Sequence, residues 1–206
     1  MFMEPSYTRG QVSKLGNAII YLAERISPLS KTKLIKLIYL IEEISIKKFG
    51  IPFFDLRFDV WKLGPVSRDL YVELTGEPVL LNDFIIKELK DDNVFVKPKN
   101  PFNDDEFSDN DIGVLDFVVD HYATTSAQDL INLTHRQHSL WYLTAKEHDL
   151  LDKFRQGLIN TTDIEIDLSK LISDDPVRKA FYLEHKEFQR RYTLQTKVFH
   201  CTEITE

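Results

Sequence analysis

Cysteine, glycine and methionine are scarce in this 206-residue chain, which has one Cys, seven Gly and two Met. The single thiol, Cys201, can form neither an intramolecular disulfide nor a cysteine-based zinc cluster, which favours a reducing compartment such as the cytoplasm. The glycines are scattered singly, and the sequence contains neither a P-loop nor a G-x-G-x-x-G motif. It also lacks a G-x-S-x-G nucleophile elbow, so these glycine-dependent nucleotide and acyl-transfer sites are excluded.

Long apolar runs are absent as well. No stretch approaches 18 uninterrupted apolar residues, so the sequence predicts no membrane span. The opening residues, MFMEPSYTRG, lack the apolar segment of a signal peptide. Hydrophobic residues nevertheless make up 43% of the chain and aromatic residues 12%. This composition is typical of a globular protein, and the length suits one domain with an appendage or two small domains.

Charge of both signs is present but unevenly distributed around a net charge of −7. Residues 1–50 carry 8 Lys/Arg and 4 Asp/Glu, whereas residues 101–150 carry 2 and 10, a local net charge of −8. Binding to nucleic acid depends on cations that neutralise phosphates, so the overall balance disfavours it. The same balance would attract a basic protein partner.

Hydrophobic periodicity predicts a mostly helical chain with strands in its middle. Helices are predicted over residues 11–26, 31–48, 65–75, 109–122, 126–135, 140–156 and 176–195. Strands are predicted over residues 56–60, 84–89 and 93–97, the last two forming a hairpin around Asp91-Asp92. We therefore expect an α+β, mostly α-helical fold, with a helical assembly around a small antiparallel sheet and a C-terminal helical extension.

The helix predicted at 31–48, KTKLIKLIYLIEEISIKK, has an apolar arc wider than half its circumference. Such a helix is typical of the centre of a core. Its strongly polar residues, Lys36, Glu43 and Lys47, fall in one narrow stripe, which we expect to face water. Ser30 is placed to cap the start of the helix.

Candidate catalytic and metal-binding residues are few. His135, His138 and His148 lie close in sequence, but H-x-x-H has neither the spacing nor the glutamate of a zincin motif. The acidic run 104–111 does not fit the EF-hand template and is interpreted as a solvated loop leading into a helix. We expect no catalytic, cofactor-binding or metal-binding residues. A metal hydrolase built on His135 and His138 stays open as an alternative, which convergence of their imidazoles with a carboxylate would favour.

A second alternative is a DNA-binding transcription regulator that uses residues 11–48 as a helix-turn-helix. Lys31, Lys33 and Lys36 supply basic side chains there, but apolar residues interrupt them. A recognition helix needs an exposed polar face, so this reading requires Lys33 and Lys36 to be exposed together. Otherwise they belong to a core helix, with their charged ends reaching outward.

The segment 61–71, WKLGPVSRDLY, joins an apolar strand to a predicted helix. Gly64 permits an unusual backbone angle, and Pro65 has the φ that suits the first residue of a helix. The pattern predicts an inward apolar stripe of Val66, Leu70 and Leu74. Arg68 and Asp69 are predicted to point outward.

Four segments in order resemble the Panacea, or SocA-like, antitoxin domain. They are KLIKLIYL at 33–40, Gly-Ile-Pro at 50–52, the corner at 61–71, and SAQDLINLTH at 126–135 with Trp141. The family usually has a proline before this tryptophan, where this chain has Leu140. The resemblance covers roughly residues 12–142. We therefore predict a Panacea-like antitoxin domain at 1–142 and a C-terminal helical extension at 143–206, packed on the same domain.

The resemblance implies an antitoxin that neutralises a cognate toxin protein by direct binding, without catalysis and without a cofactor. It implies a toxin encoded by a neighbouring gene, and leaves open delivery of the toxin to a protease or a chaperone. The residues predicted to contact the partner are those at the corner and around the L-T-H segment: Trp61, Lys62, Arg68, Asp69, Tyr71, His135, Arg136 and Trp141.

Overall fold

A computed structural model of the protein describes residues 7–202, with side chains described as far as Arg191. The fold is α+β and mostly helical, as predicted. The helices are α1 (Arg9–Arg25), α2 (Lys31–Phe49), α3 (Arg68–Thr75), α4 (Asp109–Tyr122), α5 (Ala127–Thr134), α6 (Leu140–Glu147), α7 (Leu151–Arg155) and α8 (Pro176–Thr202), with a short 3₁₀ helix at Leu168–Ile172. The strands are β1 (Leu29–Ser30), β2 (Asp59–Trp61), β3 (Gly64–Val66), β4 (Ile85–Lys90) and β5 (Asn93–Pro98).

The strands form two small antiparallel sheets. One has three strands in the order β1-β5-β4, and its β4–β5 hairpin turns at Asp91-Asp92 as predicted. Both aspartates have positive φ, 50° and 60°, which matches the tight turn of a two-residue hairpin. The other sheet is the β2–β3 hairpin, in which Val60 lies opposite Pro65.

The central element is α2, which buries more residues than any other helix in the described part of the chain. It contacts α4, α5, α8, β3 and the 3₁₀ helix. Ser30 caps it as predicted, accepting a hydrogen bond from Lys33 N at 3.3 Å. Gly50 ends it in the left-handed conformation, with φ 72°, because this backbone angle is accessible to glycine at little cost.

The prediction that Lys36 faces water is wrong. Lys36 is only 1% exposed, whereas Glu43 is partly exposed and Lys47 is exposed. Helical periodicity places Lys36 on the polar side of α2, but the β2–β3 hairpin and α5 cover that end of the helix. The covering elements come from distant parts of the chain, so the pattern of α2 alone does not reveal them.

Three predicted elements have different boundaries in the structure. The predicted helix 65–75 begins only at Arg68, because Gly64–Val66 pairs with β2 as a strand. The predicted strand 56–60 is shifted to Asp59–Trp61. The predicted helix 140–156 is divided into α6 and α7, and Asp149 between them has φ 53°, which an α-helix cannot accommodate.

Two buried glutamates hold loops that flank the core. The carboxylate of Glu42 accepts hydrogen bonds from the backbone N–H groups of residues 53–55 at 2.7–3.1 Å. Glu73 accepts from those of residues 79–81 at 2.9–3.0 Å. A carboxylate that receives several backbone N–H donors satisfies groups that would otherwise be buried without partners. These loops therefore have definite positions despite lacking regular structure.

The segment after residue 142 lies against the preceding part of the chain. The 3₁₀ helix and α8 contact α2. Helical spacing predicts an apolar stripe of Val177, Phe181, Phe188 and Tyr192 along α8. The first three are exposed, and the side chain of Tyr192 lies outside the described residues. The predicted division between 142 and 143 stays a prediction. Within residues 7–202, none of the helices has the length and apolar character needed to cross a membrane.

Substitution of either Leu37 or Ile41 by alanine should destabilise the protein by about 2–5 kcal/mol. Both side chains are fully buried in α2, so truncation removes apolar contacts and leaves a cavity. Urea unfolding monitored by circular dichroism measures the effect. Leu89→Ala, at a position 75% exposed on β4, is the matched control and should leave the urea midpoint nearly unchanged. Equal midpoints for all three variants would contradict a core centred on α2.

Candidate functional site

Three of the sequence segments that carry the family resemblance meet around the buried side chain of Lys36. Its Nζ donates a hydrogen bond to Pro65 O at 2.9 Å, and within the described residues this is its one hydrogen-bond partner. Gly64 lies between Lys36 and Thr134: a Cβ at Gly64 would stand 2.9 Å from Lys36 Nζ and 2.7 Å from Thr134 Oγ1. The lysine of α2, the Gly-Pro pair of the corner and the threonine of the L-T-H segment are therefore in direct proximity.

Gly64 is required at this point for two separate reasons. Its φ of +103° lies in a region that L side chains rarely adopt. In addition, any side chain there would overlap Thr134 and Lys36, both of which are buried. Pro65 has no N–H to contribute to the sheet, and its position in a two-stranded hairpin tolerates this. Its carbonyl is left to accept the hydrogen bond from Lys36.

His135 and Trp141 complete the cluster from the other side. Their rings stack with centroids 3.7 Å apart and planes inclined by 8°. Trp141 Nε1 donates to Trp61 O at 2.8 Å, which ties α6 to the end of β2. Ser139 donates to Thr134 O at 2.6 Å and caps α6, so the connection between α5 and α6 is held at both ends.

Leu140, where the family usually has proline, is the first residue of α6. Proline is favoured at this helical position, because an N–H there has no partner within the helix. The replacement of proline by leucine therefore keeps the local turn, and Leu140 is buried in the core.

The electrostatics of the cluster follow from burial without a counter-charge. Burial lowers the pKa of Lys36 to about 7. The pKa of His135 is lowered to about 4, first by burial and second by the positive charge of Lys36. At neutral pH the imidazole is therefore uncharged, and the ammonium is close to its titration midpoint.

A cleft of about 400 Å³ opens beside this cluster, and we call it the corner cleft. Its lining residues come from α2, the corner and a later segment: Lys31, Thr32, Ile35, Lys36, Trp61, Lys62, Leu63, Val66, Tyr71, Asn160 and Thr161. The rings of Trp61 and Tyr71 meet edge to face at 4.9 Å. Lys31 Nζ lies 5.0 Å from the centre of the Tyr71 ring, within the range of a cation–π contact.

Residues 160–166, which we call the strap, form one wall of the corner cleft and run along β2. Lys62 N donates to Asn160 O at 2.8 Å, and Val60 N donates to Ile164 O at 2.9 Å. The indole of Trp61 donates to Thr162 O at 3.1 Å. The edge of β2 is thus covered by backbone from roughly 100 residues later in the sequence, which stabilises the aromatic wall of the cleft.

Five of the predicted contact residues lie in or beside the corner cleft. Trp61, Lys62 and Tyr71 line the corner cleft together. His135 and Trp141 lie beside it and pack internally. Their role as partner contacts is untested and stays a prediction.

Arg68 and Asp69 are exposed, as the pattern predicts, but each has a partner within the chain. Arg68 pairs with Asp163, and Asp69 accepts a hydrogen bond from the Tyr7 hydroxyl at 2.7 Å. Arg136 is exposed. Charge reversal at Arg68 or Asp69 would therefore disturb contacts within the protein as well as any contact with a partner.

Lys36 is a residue of this cluster that the sequence alone did not predict. Its position within KLIKLIYL, a segment of the family resemblance, was the available signal. A lysine in an otherwise apolar helix segment is as compatible with a solvent-facing stripe as with burial. Only the Pro65 carbonyl, which accepts a hydrogen bond from Lys36, distinguishes the buried position from the solvent-facing one.

The structure bears on both alternative functions. Lys33 and Lys36 are 8% and 1% exposed, and each donates to a backbone carbonyl, so they form no exposed basic patch. His138 is exposed, whereas His135 is stacked on Trp141. Among the described residues, no three His, Cys, Asp or Glu side chains are placed to hold a metal ion.

The fold is that of a mostly helical domain whose motif residues meet at one corner. A family model described as "Antitoxin SocA-like, Panacea domain" matches residues 34–142. The match spans more than half of the chain, and the protein belongs to this antitoxin family. Comparison with curated proteins gave no match. Comparison with solved structures also gave none. The strap lies outside the matched residues.

Gly64→Ala should destabilise the protein by roughly 2–4 kcal/mol, because it combines backbone strain with overlap at two buried side chains. Two other glycines separate these causes. Gly157 has φ +70° but open space around its Cβ position, so Gly157→Ala should cost about 1 kcal/mol. Gly113 lies inside α4 with open space, so Gly113→Ala should stabilise by about 0.5–1 kcal/mol. Thermal and urea unfolding measure all three, and a Gly64 variant no worse than Gly157→Ala would contradict the close approach.

The buried ammonium should make stability depend on pH. The pKa of Lys36 is about 7 in the folded protein against 10.5 ordinarily, so the unfolded chain binds more protons between these values. The free energy of unfolding therefore rises with pH between about 7 and 10.5, and it falls again as the pH drops towards 7. Between pH 7 and 9.5 the wild type should gain on the order of 2–3 kcal/mol relative to Lys36→Met, measured by urea unfolding of both proteins. A difference between them that does not change with pH would show that Lys36 is not desolvated.

Proposed function

We propose that this protein is an antitoxin that binds a cognate toxin protein directly and suppresses it without catalysis. Membership of the SocA-like antitoxin family over residues 34–142 is the observation that carries the proposal. We further propose that the toxin is the product of a neighbouring gene and that the complex forms in the cytoplasm. Delivery of the toxin to a protease or chaperone is the competing route, and it predicts loss of toxin protein rather than a stable complex.

The ionisable groups at the centre of the site support a binding role. Lys36 is engaged with Pro65 O, and His135 is stacked on Trp141. The first contact joins α2 to the corner, and the second packs His135 against α6, so both side chains are used in holding the chain in its fold. The outward side of the same corner then presents a surface to a partner.

The corner carries exposed apolar side chains of the kind that protein interfaces bury. Leu63, at the turn of the β2–β3 hairpin, and Val72, on α3, are each 55% exposed. Trp61 and Tyr71 line the corner cleft together with Leu63, and Val72 directly follows Tyr71 in the chain. Aromatic residues are enriched at interface centres. The corner is also inside the family-matched segment, whereas the exposed apolar stripe of α8 is outside it. We therefore place the toxin contact at the corner.

The acidic segment 101–150, with its local net charge of −8, has a separate role in this proposal. Charges of one sign accelerate association with an oppositely charged partner over distances of roughly 10 Å at physiological ionic strength. A toxin with a basic surface would be drawn towards this segment. The association rate should then fall as salt is added, independently of the contacts at the corner.

Leu63→Asp and Val72→Asp, tested singly, should each weaken toxin binding by tenfold or more and reduce growth rescue. A carboxylate at either position would be desolvated in the interface without a partner. The measurements are co-expression with neighbouring gene products, pull-down, and growth of cells expressing the toxin. Leu89→Asp, on the β4–β5 hairpin, is the matched control and should rescue like the wild type.

All three positions are exposed, so the variants should fold like the wild type, and their thermal midpoints test this. Full rescue by both corner variants would place the interface elsewhere, with the α8 stripe as the next surface to test. If the wild-type protein neither binds nor rescues against any neighbouring product, the antitoxin proposal fails.

A further inference from the structure

The corner cleft is positively charged within a protein of net negative charge. Three of its lining residues are lysines, Lys31, Lys36 and Lys62, and the residues that line it in the described part of the chain include no carboxylate. The nearby ion pair of Arg68 with Asp163 has no net charge and does not alter this balance. Lys31, Lys62 and the protonated fraction of Lys36 therefore give the cleft a positive charge that no acidic side chain in its walls neutralises.

Two of these lysines are already partly removed from water. Lys36 Nζ has a single carbonyl acceptor for its three N–H groups. Lys31 faces the Tyr71 ring at 5.0 Å, and burial lowers the pKa of Lys31 as well as that of Lys36. An anion entering the cleft would provide both the charge and the acceptors that these ammonium groups lack. Charge-assisted hydrogen bonds of this type are stronger than neutral ones.

The remaining walls of the corner cleft are apolar. Ile35 and Val66 belong to the buried core, and Trp61 and Tyr71 form an aromatic side. A volume of about 400 Å³ lies within the range of small-ligand and side-chain pockets. It is large enough for one aromatic or branched side chain together with a carboxylate. The combination of apolar walls and cations favours an amphipathic anion over a small inorganic one.

We propose that the corner cleft is the specificity pocket for the toxin, and that it receives a carboxylate next to an aromatic or aliphatic side chain. The carboxylate is an Asp, a Glu or the C-terminus of the toxin segment, and Lys31 and Lys62 bind it at the mouth of the cleft. This inference rests on the proposed function, since it names the part of the toxin that is recognised. It is compatible with a toxin that is basic overall, because it concerns one local group.

A small probe tests the cleft without any toxin. N-acetyl-phenylalanine carries the aromatic ring and the carboxylate, and N-acetyl-phenylalaninamide is its uncharged counterpart. The chain has two tryptophans, so the indole N–H signal of Trp61 in ¹⁵N-labelled protein is assigned with Trp61→Phe. The acid should shift this signal in a saturable manner, and the amide should bind at least tenfold more weakly. Amide signals of the β4–β5 hairpin should stay unchanged.

Lysine substitutions then test the charges. Lys31→Met combined with Lys62→Met keeps side-chain length and should reduce probe affinity by tenfold or more. Lys146→Met combined with Lys153→Met removes two exposed lysines outside the cleft and is the matched control. Equal shifts by acid and amide, or equal probe affinity in the two double variants, would overturn the proposed anion recognition.

The toxin, once identified by pull-down, allows a second test of the corner cleft. Its affinity should fall at least tenfold for the Lys31/Lys62 variant and stay unchanged for the Lys146/Lys153 variant, and N-acetyl-phenylalanine should compete with it. If the probe binds but the lysine substitutions leave toxin affinity unchanged, the cleft is not the toxin's pocket and the inference is wrong. If no neighbouring gene product binds the wild type, the proposed antitoxin function is wrong, and so is the proposal that a toxin segment occupies the corner cleft. The probe result still shows whether the cleft recognises the anion.

Discussion

The hydrogen bond from the buried ammonium of Lys36 to the carbonyl of Pro65 determines how the centre of the protein can be assembled. A buried lysine without an acceptor or counter-charge is costly, so α2 can occupy the core only where the corner supplies a carbonyl. That carbonyl reaches the lysine because Gly64 has no side chain to keep the backbone away. One polar contact therefore joins the hairpin to α2, and α5 packs against the same point through Thr134, next to Gly64.

A second contact, from the Trp141 indole to Trp61 O, secures the same corner from the α6 side. Because the inner face of the corner is held at both places, its outer face can keep a defined shape without a partner. Preorganisation of this kind reduces the entropy lost on binding. Under the proposed function, Leu63 and the lysines that line the corner cleft therefore need little rearrangement to meet a partner.

The strap gives the site a component that the family match does not cover. Asn160 and Thr161 line the corner cleft, while the matched segment ends at residue 142. Backbone hydrogen bonds hold the strap along β2, and the Thr162 hydroxyl adds a side-chain bond to Val60 O at 2.7 Å. The carbonyl of Asn160, not its side chain, accepts from Lys62 N, so the side chain at position 160 can differ without loss of that contact.

The sequence by itself determined the features that depend on neighbouring residues. The apolar arc of α2, the Ser30 cap and the Asp91-Asp92 turn were predictable because periodicity, capping and turn chemistry act over a few positions. The order of four motifs was sufficient to indicate the family. The helix start at Arg68 was missed, because Gly64-Pro65 suits both a helix entry and an edge strand. The break at Asp149 was missed as well, since the leucines on either side continue the helical pattern.

Only the tertiary structure decided which polar residues are buried and what they contact. Lys36 and Lys47 occupy the same stripe of α2, yet one is enclosed and the other exposed. The difference lies in elements that the chain brings in from elsewhere: Pro65 lies 29 positions after Lys36, and Thr134 lies further still. Burial of a charged group depends on the acceptor and covering surface at its position in space. That information is distributed over the whole chain, so no local pattern carries it.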